Sequence, residues 1–193
     1  MADEMVNLDQ EKKTRVLAAA KELFGRFGFK KTTVDEIAEN ASISKRTIYE
    51  VFSSKEEILA ELVMVEALSF RRFCLNQIKT VEDPVEKFCI FFDLSSKYFD
   101  ENPFLGQVLA DDAGLYTPFL GDEIHVVEEG MKGIIASILK EGIQKGVFRK
   151  TDVDATAQCI LVLFRGFTYQ KTPMEHGNTE WVAFILRAIA AQG

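Results

Sequence analysis

Long hydrophobic runs are missing from this chain of 193 residues. The longest uncharged stretch, Ala155 to Phe164, has ten residues, about half of the roughly 20 that a membrane-spanning helix needs. Cysteine is scarce: Cys74, Cys89 and Cys159 are scattered among apolar neighbours with no C-x-x-C pair. That pattern excludes a disulfide framework and predicts buried, reduced thiols in a cytoplasm. The opening MADEMVNLDQ is acidic and lacks an apolar core, so it reads as a frayed tail over residues 1–8 and not as a signal peptide.

The chemistry of an enzyme is also missing. The only histidines, His125 and His176, stand at no metal-ligand spacing from a cysteine or a carboxylate pair. No G-x-S-x-G, P-loop or G-x-G-x-x-G is present. Asp111 and Asp112 are adjacent, and neighbours in sequence point in different directions on a helix. The expectation is a protein that is not an enzyme and needs no cofactor or metal.

What the chain does have is an uneven charge. Its net charge is −7, yet Glu11 to Lys55 holds ten Lys or Arg against six acids, a local +4. From Glu56 onward, 13 cations face 21 anions. A basic N-terminal module is therefore attached to an acidic body.

Periodicity predicts helices throughout, and no segment alternates as a strand would. Val16, Leu17, Ala20, Leu23, Phe24 and Phe27 mark one face of a first helix ended by Gly28. Thr33 followed by Glu36 forms a capping box for a second short helix. Asn40 to Ile43 then leads to a third, with Ser44 as N-cap and Thr47 or Ile48, then Phe52, facing inward. A second capping box, Ser54 with Glu57, opens a long helix towards Lys79. Further helices are expected over Asp83–Asp100, Phe104–Asp111, Asp122–Lys145, Val153–Tyr169 and Glu180–Ala191, with an irregular link over Gly114–Gly121.

Two short helices joined by a three-to-four-residue turn, the second cationic, match a helix-turn-helix unit. Such a unit lays its second helix in the DNA major groove, N-terminal residues at the base edges. Those residues here are Ser44, Lys45, Arg46 and Thr47. Lys and Arg pair with guanine O6 and N7, and Ser and Thr exchange hydrogen bonds with base edges.

The run from Thr14 to Val63 resembles the DNA-binding region of TetR-family transcriptional regulators. The resemblance is carried by RVLAAAKELF (Arg15 to Phe24), by G-x-x-x-T-T-V-x-x-I-A from Gly28, by S-K-x-T-I-Y from Ser44 and by F-x-S-K-E-E from Phe52. Beyond Val63 only helix count, size and the stretch EGIQKGVFRKTDVDATA are similar. The resemblance implies an all-α fold: a helix-turn-helix head over 1–52 and an effector-binding, dimerising body over 53–193. It implies that Thr32 and Thr33 meet a phosphate, that Tyr49 lies near the DNA backbone, and that Lys55 anchors a phosphate.

The sequence departs from that pattern at four positions. Ser42 stands where a glycine is usual in the turn, Arg46 where a small residue is common, and Glu50 and Val51 where aromatic residues or histidine are frequent. Glu50 either accepts from a cytosine amine or repels DNA.

The body is rich in phenylalanine. Phe88, Phe91, Phe92, Phe99 and Phe104, with Phe70, Phe73 and Phe119, either line a cavity for a small apolar or aromatic effector or form a packed aromatic core. His125 and Tyr169, with Asp93, Tyr98 and Gln107, are the polar candidates for orienting such a ligand. The Val153–Tyr169 helix is apolar nearly all round and needs cover on two sides. Its Ile160, Leu163, Phe164 and Phe167, with Trp181, Phe184, Ile185 and Ala188 of the last helix, are the expected homodimer interface. The alternative is a plain interior helix.

These features together predict a cytoplasmic, ligand-responsive regulator, a repressor in its commoner mode. Its partners would be a double-stranded DNA operator, a second copy of itself and a small effector, with no membrane. A helical adaptor that kept the fold but not effector control is the alternative.

Overall fold

A computed structural model of the chain describes residues 2–110, 115–168 and 179–191. Its elements are helices in the order α1 (Ala2–Phe27), α2 (Val34–Asn40), α3 (Lys45–Val51), α4 (Lys55–Ile78), α5 (Pro84–Glu101), α6 (Pro103–Ala110), α7 (Thr117–Gln144), α8 (Val153–Thr168) and α9 (Thr179–Ile189). Among the described residues the only strand-like pairing is an isolated antiparallel bridge between Phe148 and Ala190. The chain is all-α, as its periodicity predicts.

Two helix starts differ from the sequence reading. Ala2 to Leu8 belong to α1 instead of fraying, since no glycine or proline interrupts the chain before Gly25. Residues 117–121 are the first turn of α7 instead of an irregular link. Pro118 is compatible with that place, because the N–H it lacks would be unpaired in a first turn anyway.

The helices form two compact units, residues 1–66 and 67–193. In the first, α1, α2 and α3 pack on one another. Val16, Ala20 and Phe24 of α1, Ile37 of α2, and Ile48 and Phe52 of the third helix and its cap are buried. By packing this unit extends to Glu66, beyond the boundary at Ser53 that the sequence suggests. The first turns of α4 are bound to α1 by Lys13–Glu61 and Lys21–Glu66 ion pairs at 3.0 and 2.7 Å, and Ile58, Leu59, Leu62 and Val63 are buried.

In the second unit, α5 packs on α6, α7 and α9, and α7 packs on α8. Its centre is aromatic: Phe92 lies 4.6 Å from Phe88, 5.5 Å from Phe164 and 4.9 Å from Trp181, ring centre to ring centre. After α7 the chain turns at Gly146, whose φ of +72° is in the left-handed region that glycine adopts without steric cost. Phe148 then packs against Gly142, where any side chain would collide with its ring. The backbone bonds Arg149 N–H to Ile189 O and Ala191 N–H to Val147 O, at 2.9 and 3.0 Å, fasten the end of α9 to this return.

Candidate nucleic-acid interface

The head places its cations by local rules of capping and turn chemistry. Thr33 caps α2: its hydroxyl accepts from the Glu36 N–H, and the Glu36 carboxylate accepts from the Thr33 N–H at 2.7 Å, closing the capping box. The bonds from Thr33 hold the Glu36 carboxyl below its ordinary value of 4.5. The turn after α2 passes through Ser42 with φ of +53°, the one non-glycine residue in the left-handed region among the described residues. The position that lacks the expected glycine is thus the one that needs it. The Arg15 guanidinium closes the turn, donating to the Ala41 and Ser42 carbonyls at 2.6 and 2.9 Å.

Ser44 caps α3, accepting from the Thr47 N–H at 3.0 Å. Ile48 and Phe52 are buried and dock the helix on its neighbours. Ser44, Lys45, Arg46, Tyr49 and Glu50 are thereby left exposed, with Thr47 half-buried between them. The Arg46 side chain is 91 % exposed, and the Tyr49 ring is half exposed. Lys45 is held by Asp35 of α2 at 2.9 Å, a bond that raises the Lys45 pKa.

Glu50 sits between two cations, 3.7 Å from Lys12 of α1 and 3.7 Å from Arg46. It is therefore paired before any DNA arrives. Ion pairs as exposed as these contribute little to stability, but they set where the Arg46 guanidinium rests.

Two residues expected to touch phosphate make hydrogen bonds inside the head. Thr32 is buried, and its hydroxyl donates to the carbonyls of Gly28 and Leu23 at 3.0 and 3.3 Å. The Lys55 ammonium donates to the Phe29 and Thr32 carbonyls, both at 2.8 Å, and lies over the Phe29 ring at 4.3 Å from its centre. It secures the loop between α1 and α2, whose carbonyls have no helical partner there. Thr33 remains exposed at the start of α2. Arg15, Lys12 and Asp35, which position this surface, were not singled out by sequence; Arg15 opens the RVLAAAKELF run, its only sequence signal.

In the second unit the effector candidates separate. Phe88, Phe92 and Phe99 are buried among other rings, and Phe70 stacks on Tyr98 at 4.4 Å. Phe104 is buried, and Phe119 lies half-buried beside Tyr116. Phe73 and His125 are exposed, as are Asp93 and Gln107. Tyr169 lies outside the described residues.

The expected dimer face separates too. Ile160, Phe164, Trp181 and Ile185 are core residues of the chain itself, because they fall on the inward side of α8 and α9, with Phe167 stacked on Trp181. Leu163, Phe184 and Ala188, with Val162, are exposed. The three cysteines also divide. Cys74 is buried, and burial pushes its thiol up to about 12, whereas Cys89 and Cys159 are exposed, contrary to the sequence reading.

Residues 16–62 match the family model for bacterial regulatory proteins of the tetR family. The chain is 25% identical over 201 residues to the HTH-type transcriptional regulator YhgD of Bacillus subtilis (strain 168), covering 95% of this chain and 96% of that one. Its fold is similar to the transcriptional regulator FadR from Bacillus subtilis, solved in complex with stearoyl-CoA, at a TM-score of 0.74 and 24% identity over 92% of this chain and 97% of that one. It is likewise similar to PfmR of Thermus thermophilus, a TetR family transcriptional regulator, at a TM-score of 0.64 and 28% identity over 90% and 97% of the two chains. Among the described residues no helix is long and apolar enough to cross a membrane. The helix-turn-helix head thus lies in the segment that matches the tetR family model, and the chain as a whole is similar in fold to a solved TetR family transcriptional regulator.

Proposed function

We propose that the protein acts in the cytoplasm as a homodimeric repressor that reads a palindromic operator and is released by a small apolar or aromatic effector. The observation that carries this reading is the exposed N-terminal half of α3, where Lys45 and Arg46 project from a short helix docked only through its opposite side. Ser44, Lys45, Arg46 and Thr47 read base edges, and Thr33 and Tyr49 contact the backbone. Thr32 and Lys55 act from beneath, by holding the loop that presents Thr33.

The homodimer reading is supported by the apolar residues that the chain leaves uncovered on α8 and α9, Val162 at 56 % and Phe184 at 60 % exposure, with Leu163 beside them. Charged residues would be expected on solvated helix faces. Two-fold symmetry pairs two recognition helices with the two halves of a palindrome.

Effector control is supported by the likeness to a regulator solved with stearoyl-CoA bound. An effector lowers operator affinity by as much as it prefers the non-binding state of the dimer. The helix α4 runs unbroken from the head unit into the body unit, so it is the covalent route for that preference.

The test is duplex binding by the purified full-length protein and by a Lys45→Glu/Arg46→Glu variant. The reading expects salt-sensitive binding that the variant loses while its helical circular dichroism stays unchanged. Equal binding by both proteins would contradict it.

A further inference from the structure

A cavity of about 350 Å³ opens on the second unit, at the end of α4 remote in sequence from the head. Its floor is aliphatic: Ile78 of α4 with Ile134 and Ile138 of α7, all buried. At its mouth stand Leu75, Asn76 and Lys79 of α4 and Ser137 of α7, all exposed. Its inner wall is an ion pair between Lys87 of α5 and Glu141 of α7 at 2.6 Å. The Lys87 side chain is only 14 % exposed, so its charge is held in a partly desolvated place.

Glu141 is shared. A second cation, Lys145, lies 2.8 Å from its other oxygen, and bonds from Lys145 and Lys87 hold this carboxyl below its ordinary value of 4.5. One carboxylate thus answers for Lys87 and for Lys145, which stands behind it outside the lining. The charged residues that line the cavity are Lys79, Lys87 and Glu141, one positive charge in excess above an aliphatic floor. The unit around it is acidic overall, with 13 cations against 17 anions over residues 67–193, so a cationic rim here is local.

We propose that this cavity binds a small aliphatic anion, a carboxylate whose hydrocarbon tail lies on Ile78, Ile134 and Ile138 and whose head lies between Lys79 and Lys87. A volume near 350 Å³ is at the small end of the range of ligand pockets, which fits a short-chain or medium-chain acid. Burying each methylene strengthens binding about fourfold. The anionic head meets ammonium groups in a place where water competes less. The proposal goes beyond operator recognition and stands without it, since it concerns binding by this unit alone.

The test is calorimetric titration of the full-length protein, free of DNA, with butanoate, hexanoate and octanoate, and with octyltrimethylammonium and 1-octanol as controls. Saturable one-to-one binding that tightens along the acid series, and is at least about tenfold weaker for both controls, is expected. Lys79→Ala should weaken octanoate binding about tenfold or more, and Ser137→Trp at the exposed mouth should abolish it. Both positions are exposed, so neither change removes a core contact. Octanol or the ammonium compound binding as tightly as octanoate would overturn the anion assignment. Unchanged octanoate binding in Ser137→Trp, or no saturable binding of any acid, would overturn the site.

Discussion

The guanidinium of Arg15 donates to the carbonyl of Ser42 at 2.9 Å, tying the first helix to the one turn among the described residues in which a residue other than glycine is held left-handed. A left-handed L-residue costs on the order of 1–2 kcal/mol, less where a short polar side chain bonds locally. A charge-assisted bond to the same peptide offsets part of that cost. Ser42→Gly should therefore raise the stability of the head by a few tenths to about 1 kcal/mol, after allowing for the freedom glycine adds to the unfolded chain. Arg15→Ala should lower it, and by less in the Ser42→Gly background. Urea melts of the four proteins check this; independent, additive effects would contradict the coupling.

Lys55 fastens the loop between α1 and α2 of the head. Its two bonds to the Phe29 and Thr32 carbonyls are made by a charged donor, a class whose removal costs about 1.5–3 kcal/mol. Lys55→Ala should lose stability of that order and weaken binding to all DNA sequences alike. The slope of log affinity against log salt should stay as it was. A slope reduced by about one charge with stability intact would restore the phosphate-anchor role.

Arg46 and Glu50 act as a pair. Arg46→Ala should relax discrimination at one operator position by about 1–3 kcal/mol, as expected for loss of a base-edge contact. Glu50→Gln should free Arg46 and Lys12 from a shared carboxylate, raising affinity for non-operator DNA and steepening its salt dependence. Affinity for operator and random duplexes, measured at several salt concentrations, checks both.

Much of the head is legible in the sequence because its cues are local. The Thr33–Glu36 box and the Ser44 cap follow from residue types a few positions apart, the left-handed Ser42 was signalled only by the glycine usual there in the family it resembles, and the structure has all three. Lys55 and Thr32 could not be read that way, since their partners lie across the loop and are backbone carbonyls with no side-chain signature. The body was less legible for a similar reason. Periodicity marks α8 and α9 as apolar but cannot tell which of Ile160, Leu163, Phe164 and Phe184 turn inward; that depends on where α5 and α7 lie. Phe73 is exposed although Phe70, one helical turn before it, is buried.

Acid should loosen the helix starts of the head. Bonds from Thr33 lower the Glu36 pKa, and bonds from Ser53 lower that of Glu57. Their folded values lie below the ordinary 4.5, so the unfolded chain takes up protons first as pH falls. The stability they contribute is full above 4.5 and is lost as pH drops through the folded values. Between about pH 6 and about pH 3.5, a Glu36→Gln/Glu57→Gln variant should lose less of its thermal midpoint than the parent protein. Parallel losses would contradict this assignment.

The most direct measurement is selection of duplexes from a random pool by the purified protein. Enrichment of one palindrome is predicted, with half-site centres about one helical turn or slightly more apart, roughly 34–36 Å. The Lys45→Glu/Arg46→Glu variant should enrich nothing. An unenriched pool with the parent protein, or an enriched site without two-fold symmetry, would contradict an operator-reading homodimer.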